Sequence, residues 1–162
     1  IYDGLRQLDW VPRSVRSRAR SVEKAFSELE HKLGRGPTDE ELSEHLRITP
    51  EDLTKWLSAI ARTTIGPLDR AIAAGAEPSA PDDAVSGSPS AVVEVRELSL
   101  IMREEIKKLP EREKLVLSLY YDEGLTLSEI GEVLGVTESR VSQIHTKSVL
   151  HLRSRMTAAG LT

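Results

Sequence analysis

Residues 126–152, TLSEIGEVLGVTESRVSQIHTKSVLHL, decide the fold. Thr126 with Glu129 three residues on is a capping-box pattern, in which hydroxyl and carboxylate each take up a free backbone N–H. Leu127, Ile130, Val133 and Leu134 follow at helical spacing. Gly135 permits a tight turn and Thr137 caps a longer helix, which carries Val141, Ile144, Ser148 and Leu152 on its inner side. A short helix, a glycine turn and a longer helix form the outline of a helix-turn-helix. Such a unit lays its second helix in the major groove of DNA while the first crosses the backbone.

The opposite face of that second helix presents Ser139, Arg140, Ser142, Gln143, Thr146 and Lys147. Arginine suits the acceptors of guanine, glutamine suits adenine, and serine or threonine can bond to either. Arg140, Gln143 and Lys147, at i, i+3 and i+7, share one face. Glu138 is favoured by the positive end of the helix dipole and can accept from a cytosine amine. The caps Thr126 and Thr137 complete the expected contact set. A solvated polar face on a trihelical bundle gives the same pattern without DNA. Charge tips the balance: from Arg140 onward the charged residues are Arg140, Lys147, Arg153 and Arg155, with no acid among them.

Upstream, Leu98, Ile101, Met102, Ile106 and Leu109 form one helical stripe. Pro110 opens a further helix with Leu115, Val116, Leu119 and Tyr120 facing inward, which Gly124 ends.

An earlier module runs from Pro12 to Ala61. Val15, Val22, Phe26, Leu29 and Leu33 recur at helical spacing until Gly34-Arg35-Gly36-Pro37. Thr38 and Glu41 form a second capping box before Leu42 and Leu46. Thr49-Pro50-Glu51-Asp52 starts a third helix that buries Leu53, Trp56, Leu57 and Ile60. Arg13, Arg16 and Arg20 stand at i, i+3 and i+7, opposite Val15 and Val22. They suit phosphate contact and equally suit a solvated arginine face.

Between the modules the composition changes. Four of the chain's 8 prolines (Pro67, Pro78, Pro81 and Pro89) fall here with Gly66, Gly75, Gly87 and several Ser, Ala and Asp, the mark of a linker. The expected fold is therefore all-α: two small helical bundles, one trihelical and one bearing the helix-turn-helix, joined by a long Pro/Gly/Ser/Ala-rich linker.

The net charge of -4 hides segregation. Arg13, Arg16, Arg18, Arg20 and Lys24 stand against Glu23 alone, while acids gather between Asp39 and Asp52 and in the linker. With 1 Phe, 2 Trp and 3 Tyr the chain lacks the aromatics of a large layered core. With 0 Cys it has no disulfide or thiolate metal site, which suits the reducing cytoplasm. No apolar run approaches the ~20 residues of a membrane span, so no membrane association is expected. His31, His45, His145 and His151 show no metal-ligand spacing, and Gly34-Arg35-Gly36 lacks the third glycine of a dinucleotide site. No nucleophile and base pair up. A catalytic site, a metal and a cofactor are all unexpected.

LPEREKLVLSLYYDEGLTLSEIGEVLGVTESRVSQIHTKSVLHLR resembles domain 4 of the bacterial sigma-seventy superfamily. DWVPRSVRSRARSVEKAFSELEHKLGRGPTDEELSEHL is similar to domain 3 of its flagellar and sporulation branch. The resemblance divides the chain into the tail of domain 2 and a connector (1–11), domain 3 (12–62), a linker (63–92) and domain 4 (93–162). It implies a promoter-recognition subunit that binds core RNA polymerase. Glu138, Ser139, Arg140, Ser142, Gln143 and Lys147 would contact the −35 element, and Arg13, Arg16 and Arg20 the duplex upstream of −10. Without the rest of domain 2, initiation by this chain alone is not expected. Glu138 and Ser142 stand where housekeeping relatives often have arginine, so the preferred −35 sequence should differ; Leu150 stands where a basic residue is common. The resemblance also implies control by an anti-sigma protein, with gating by a small second messenger as a further expectation.

Overall fold

The computed structural model describes residues 11–64 and 89–160. Nearly all of the expected domain 2 tail and most of the expected linker lie outside the described residues. Seven helices occur among those described: α1 (Arg13–Leu33), α2 (Asp39–Leu46), α3 (Pro50–Thr64), α4 (Pro89–Lys107), α5 (Glu111–Tyr121), α6 (Leu127–Leu134) and α7 (Glu138–Ala158). None is long and apolar enough to cross a membrane. Helix α4 begins inside the stretch that composition assigns to the linker.

The helix ends follow the punctuation of the sequence. Gly34 closes α1 in the left-handed region (φ 68°), with its N–H on the Glu30 carbonyl at 2.8 Å. Both capping boxes form: the Glu41 N–H donates to Thr38 Oγ1 at 3.2 Å, and the Glu129 N–H to Thr126 Oγ1 at 3.2 Å. Arg35 grips both carboxylate oxygens of Glu41 at 2.9 and 2.7 Å, which ties the turn before α2 to its first coil. The Thr49 hydroxyl accepts from the Asp52 N–H at 3.1 Å, and the Thr137 hydroxyl from the Arg140 N–H at 3.2 Å.

Helices α1–α3 enclose a core centred on Val22, Phe26 and Leu42, and helices α5–α7 enclose another centred on Val116, Ile130 and Val141. The two cores are interlocked. Leu150 of α7 is buried in the first, and Ala61 of α3 is buried in the second. Fully burying one leucine stabilises by about 1.5–3 kcal/mol, so Leu150 alone is a substantial tie between the modules.

Some expected core residues face out. Of the α4 stripe, Leu109 is buried, whereas Leu98 and Met102 are exposed. Leu115 is exposed and Leu117 takes an inner place, because Glu113, Val116, Leu117 and Tyr120 form the buried line of α5. Leu33 and Val133 are also exposed.

The turn between α6 and α7 depends on Gly131 as well as Gly135. Gly135 has φ 67°, and the Val136 N–H donates to the Gly131 carbonyl at 3.0 Å. That closure brings the Val136 carbonyl to 2.7 Å from where a Gly131 Cβ would sit. Alanine would gain about 1 kcal/mol of helix propensity there but force the turn apart, at about 1–3 kcal/mol for overpacking. Gly131→Ala is therefore expected to lower the melting temperature despite its helical setting; an unchanged or raised melting temperature would contradict the close approach.

Candidate nucleic-acid interface

Helix α7 presents one side to its own bundle through Val141, Ile144 and Ser148, all buried as expected. Thr137, Glu138 and Ser139 are exposed at its start, Ser142 is half-buried, and the Thr126 cap is half-buried. The basic line behaves differently. Arg140 and Lys147 are half-buried, and Gln143 and Thr146 are 8% and 4% exposed. Arg140, Gln143 and Lys147 meet α2 and α3 of the first module.

Asp39 is the centre of that contact. It is the first residue of α2, where the helix dipole favours an acid. Its carboxylate accepts from Lys147 Nζ at 2.7 Å and from the Arg140 guanidinium at 3.2 Å. Arg140 also donates to Gln143 Oε1 at 3.3 Å, and Gln143 Nε2 donates to Ser58 Oγ of α3 at 3.1 Å. Burial pushes the Asp39 carboxyl up, but the charge and hydrogen bonds of Lys147 and Arg140 outweigh it and hold the group below its ordinary value. A carboxylate thus stands where a phosphate or base edge would stand if α7 lay in a groove.

The contact continues along α7. Lys147 reaches Glu113 of α5 at 3.4 Å. One turn on, His151 is fully buried, stacked on Phe26 with ring centroids 4.2 Å apart, and has a carboxylate at each ring nitrogen. Nδ1 lies 2.8 Å from Glu113 and Nε2 lies 2.6 Å from Glu30 of α1. Arg155 pairs with the same Glu30 at 2.5 Å and with Glu105 of α4 at 3.4 Å. Burial opposes the Glu30 charge, yet the hydrogen bond from His151 and the Arg155 guanidinium leave its carboxyl lowered. The first module therefore meets the basic stripe of α7 with Asp39 and Glu30. Sequence reading missed this seam. Its signal was the continuation of Arg140, Gln143 and Lys147, at the same spacing, into Leu150 and Ser154, both buried.

The arginines of α1 stand apart from the seam. Arg13, Arg16 and Arg20 line a surface depression with Ser17, Ser21 and Lys24. Arg13 and Arg20 are exposed and Arg16 is half-buried. Beside them, Arg18 lies over the Trp56 ring, 5.4 Å from its centroid.

Residues 106–154 match the family described as Sigma-70, region 4, and residues 17–70 match Sigma-70 region 3. The RNA polymerase sigma factor FliA of Escherichia coli (strain K12) is 42% identical over 158 residues, covering 96% of this chain and 66% of the relative. FliA of Yersinia enterocolitica is 41% identical over 161 residues, covering 96% and 69%. The chain belongs to the sigma-70 superfamily. The RNA polymerase sigma-D factor of Bacillus subtilis (strain 168) is 34% identical over 159 residues, covering 95% of this chain and 62% of that one. A solved structure described as a cocrystal of the flagellar sigma/anti-sigma complex Sigma-28/FlgM is 37% identical and covers 96% of this chain and 67% of that chain, with a TM-score of 0.49. The chain spans 66% of the length of the E. coli relative. In this sigma-70 chain the region 4 match takes in α5, α6 and most of α7, hence every candidate contact from Thr126 to Lys147. Arg20 falls inside the region 3 match, whereas Arg13 and Arg16 precede it.

His145, beside this stripe, carries no seam partner in its hydrogen bonding. It is 4% exposed, packs edge-on to Tyr120 with centroids 4.6 Å apart, and its Nε2 lies 3.2 Å from Tyr121 Oη. Burial pushes its pKa down to about 4. An unfolded histidine titrates near 6.5, so below that pH the unfolded chain binds the proton first and stability falls until pH reaches about 4. The effect is on the order of 3 kcal/mol, at about 1.4 kcal/mol per pH unit. His145→Gln is expected to flatten the loss of thermal stability between about pH 6.5 and 4; an unaltered slope would contradict the buried neutral ring.

Proposed function

We propose that this chain carries promoter-contacting modules of an RNA polymerase sigma factor, acting by binding and not as an enzyme. In this reading α7 enters the major groove of the −35 element, and Arg13, Arg16 and Arg20 of α1 hold phosphates upstream of −10. The observation that carries it is the capped helix-turn-helix of α6 and α7, lying inside the region 4 match and bearing Arg140, Gln143 and Lys147 on one line. Glu138, Ser139 and Ser142 extend that line to further base edges, with Thr146, Thr126 and Thr137 at its margins. Core RNA polymerase supplies the chemistry of transcription, and the cytoplasm is the compartment where the two meet.

The seam gives this reading two states. In the closed state Asp39 occupies the cations and Ser58 occupies Gln143, so α7 has no free stripe for DNA. Binding a promoter requires the first module to give way. An anti-sigma protein that spans both modules would act by holding them closed, and its binding energy would add to contacts the chain already makes.

Two kinds of variant separate the parts of this proposal. Arg140→Ala is expected to cost about 1–3 kcal/mol of promoter affinity and relax preference at one base pair, while Lys147→Ala weakens binding evenly and lowers the salt slope by about 1. Asp39→Asn, which removes the competing charge, is expected to tighten binding to a −35 duplex. Footprints and start-site maps of the full-length factor with core polymerase provide the readout. Full selectivity after Arg140→Ala would remove the residue assignment, and failure to bind core polymerase would remove the functional one.

A further inference from the structure

The seam holds one group that neither DNA reading nor core packing requires. His151 has no exposed surface and two carboxylates, one at each ring nitrogen and one from each module. Gly36 in the turn after α1 closes over it; a Cβ there would lie 3.1 Å from His151 Cε1.

A neutral imidazole has one N–H donor and one lone pair. In the closed seam either tautomer would aim its lone pair at a carboxylate oxygen from 2.6 or 2.8 Å, too close for anything to stand between. With both carboxylates ionised, only the imidazolium satisfies both partners. Burial works against that charge, but the hydrogen bonds to Glu113 and Glu30 outweigh it and raise the pKa. Opening the seam removes Glu30 and Phe26 and leaves Glu113 on the same module. The neutral ring is then tolerated, since Nδ1–H can donate to Glu113 while Nε2 faces water. The remaining charges around the ring are fixed on both sides: Lys147 and Arg155 one turn before and after on α7, Glu105 of α4 through Arg155, and Asp39 of α2 through Lys147.

We propose that His151 is a proton-operated latch: its imidazolium, bridging Glu30 of α1 and Glu113 of α5, holds the stripe of α7 against the first module, and loss of that proton frees it. The clause that links the freed stripe to a duplex rests on the sigma-factor reading; the latch does not. The sign follows from the raised value. The contribution of His151 to closure is complete below the ordinary histidine range and is lost as pH rises through the seam value.

The chain has 0 Cys, so Lys55→Cys on α3 and Glu132→Cys on α6, both exposed, place one spin label on each module. Inter-label distances in the whole chain are expected to pass from closed to open as pH rises above about 6.5, with the open-to-closed ratio growing by up to tenfold per pH unit. In His151→Gln, which keeps a donor but cannot titrate, the ratio is expected to stay flat over that window. No response in the parent, or an equal response in His151→Gln, overturns the proposal. Nitrogen NMR of the unsubstituted chain is an independent check in case that variant fails to fold. A ring that keeps both nitrogens protonated to higher pH in the closed chain than an unfolded histidine, which titrates near 6.5, is the expected result; a ring that loses its proton at or below that ordinary value overturns the latch. Adding a −35 duplex to the labelled parent tests the other reading separately, because a duplex that fails to shift the distances leaves the proton dependence untouched.

Discussion

The ammonium of Lys147 lies between a carboxylate from each module, 2.7 Å from Asp39 and 3.4 Å from Glu113, with 15% of its side chain exposed. A charge that far out of water is tolerated only when paired, and removing one partner of such a pair is far costlier than the pair's net worth. That constraint fixes how α7 sits. With Lys147 held, the same face carries Arg140 to Asp39, Gln143 to Ser58, Leu150 into the core of α1–α3 and His151 between Glu113 and Glu30. The two modules therefore share one helix, and each completes its core with a residue of the other.

The energetics of this seam suit a contact that the proposed function requires to open. Ion pairs removed from water repay little more than their desolvation, so the charged part specifies geometry more than it adds stability. Leu150 supplies apolar burial, but only one large aliphatic side chain of α7 is so placed. A duplex offers Arg140 and Lys147 phosphates and base edges of the same sign as Asp39, at full charge and over a longer surface. Replacing one acid by another costs α7 little. An apolar seam would have had no such substitute, and would have demanded exposure of a hydrophobic face to read DNA.

The elements were legible in the sequence because their signals are local. Thr38 with Glu41, Thr126 with Glu129, Thr137, Gly34 and Gly135 are short-range devices whose geometry depends on a few neighbouring residues. Most of the inner faces of α1, α3 and α6 followed from periodicity for the same reason, with Leu33 and Val133 the exceptions. What was not legible depended on residues far apart in the chain. Arg140 and Lys147 are ordinary solvated cations until Asp39, about a hundred residues earlier, is brought beside them. Periodicity also failed on α5, where the buried line includes the acid Glu113, which no hydrophobic pattern would count as inner. On α4 it overreached, since Leu98 and Met102 have the spacing of a core stripe but lie beyond the reach of the bundle.

The far half of α7 belongs to the seam more than to the helix-turn-helix. Leu150 is 3% exposed and lies in the core of α1–α3, where an unpaired charge would be costly. With leucine at 150, the next position can turn a titratable ring onto Phe26 and into the carboxylates of α1 and α5. A helix-turn-helix needs neither residue to read a groove, since both lie beyond the N-terminal half of α7 that carries the candidate contacts. They lie along the line that begins with Arg140, so the helix face that meets the first module over its whole length is, under the proposed function, the face that a duplex would take over its first turns. On that proposal binding and closure exclude one another by geometry, and the charges at the far end of the helix weigh on the closed side.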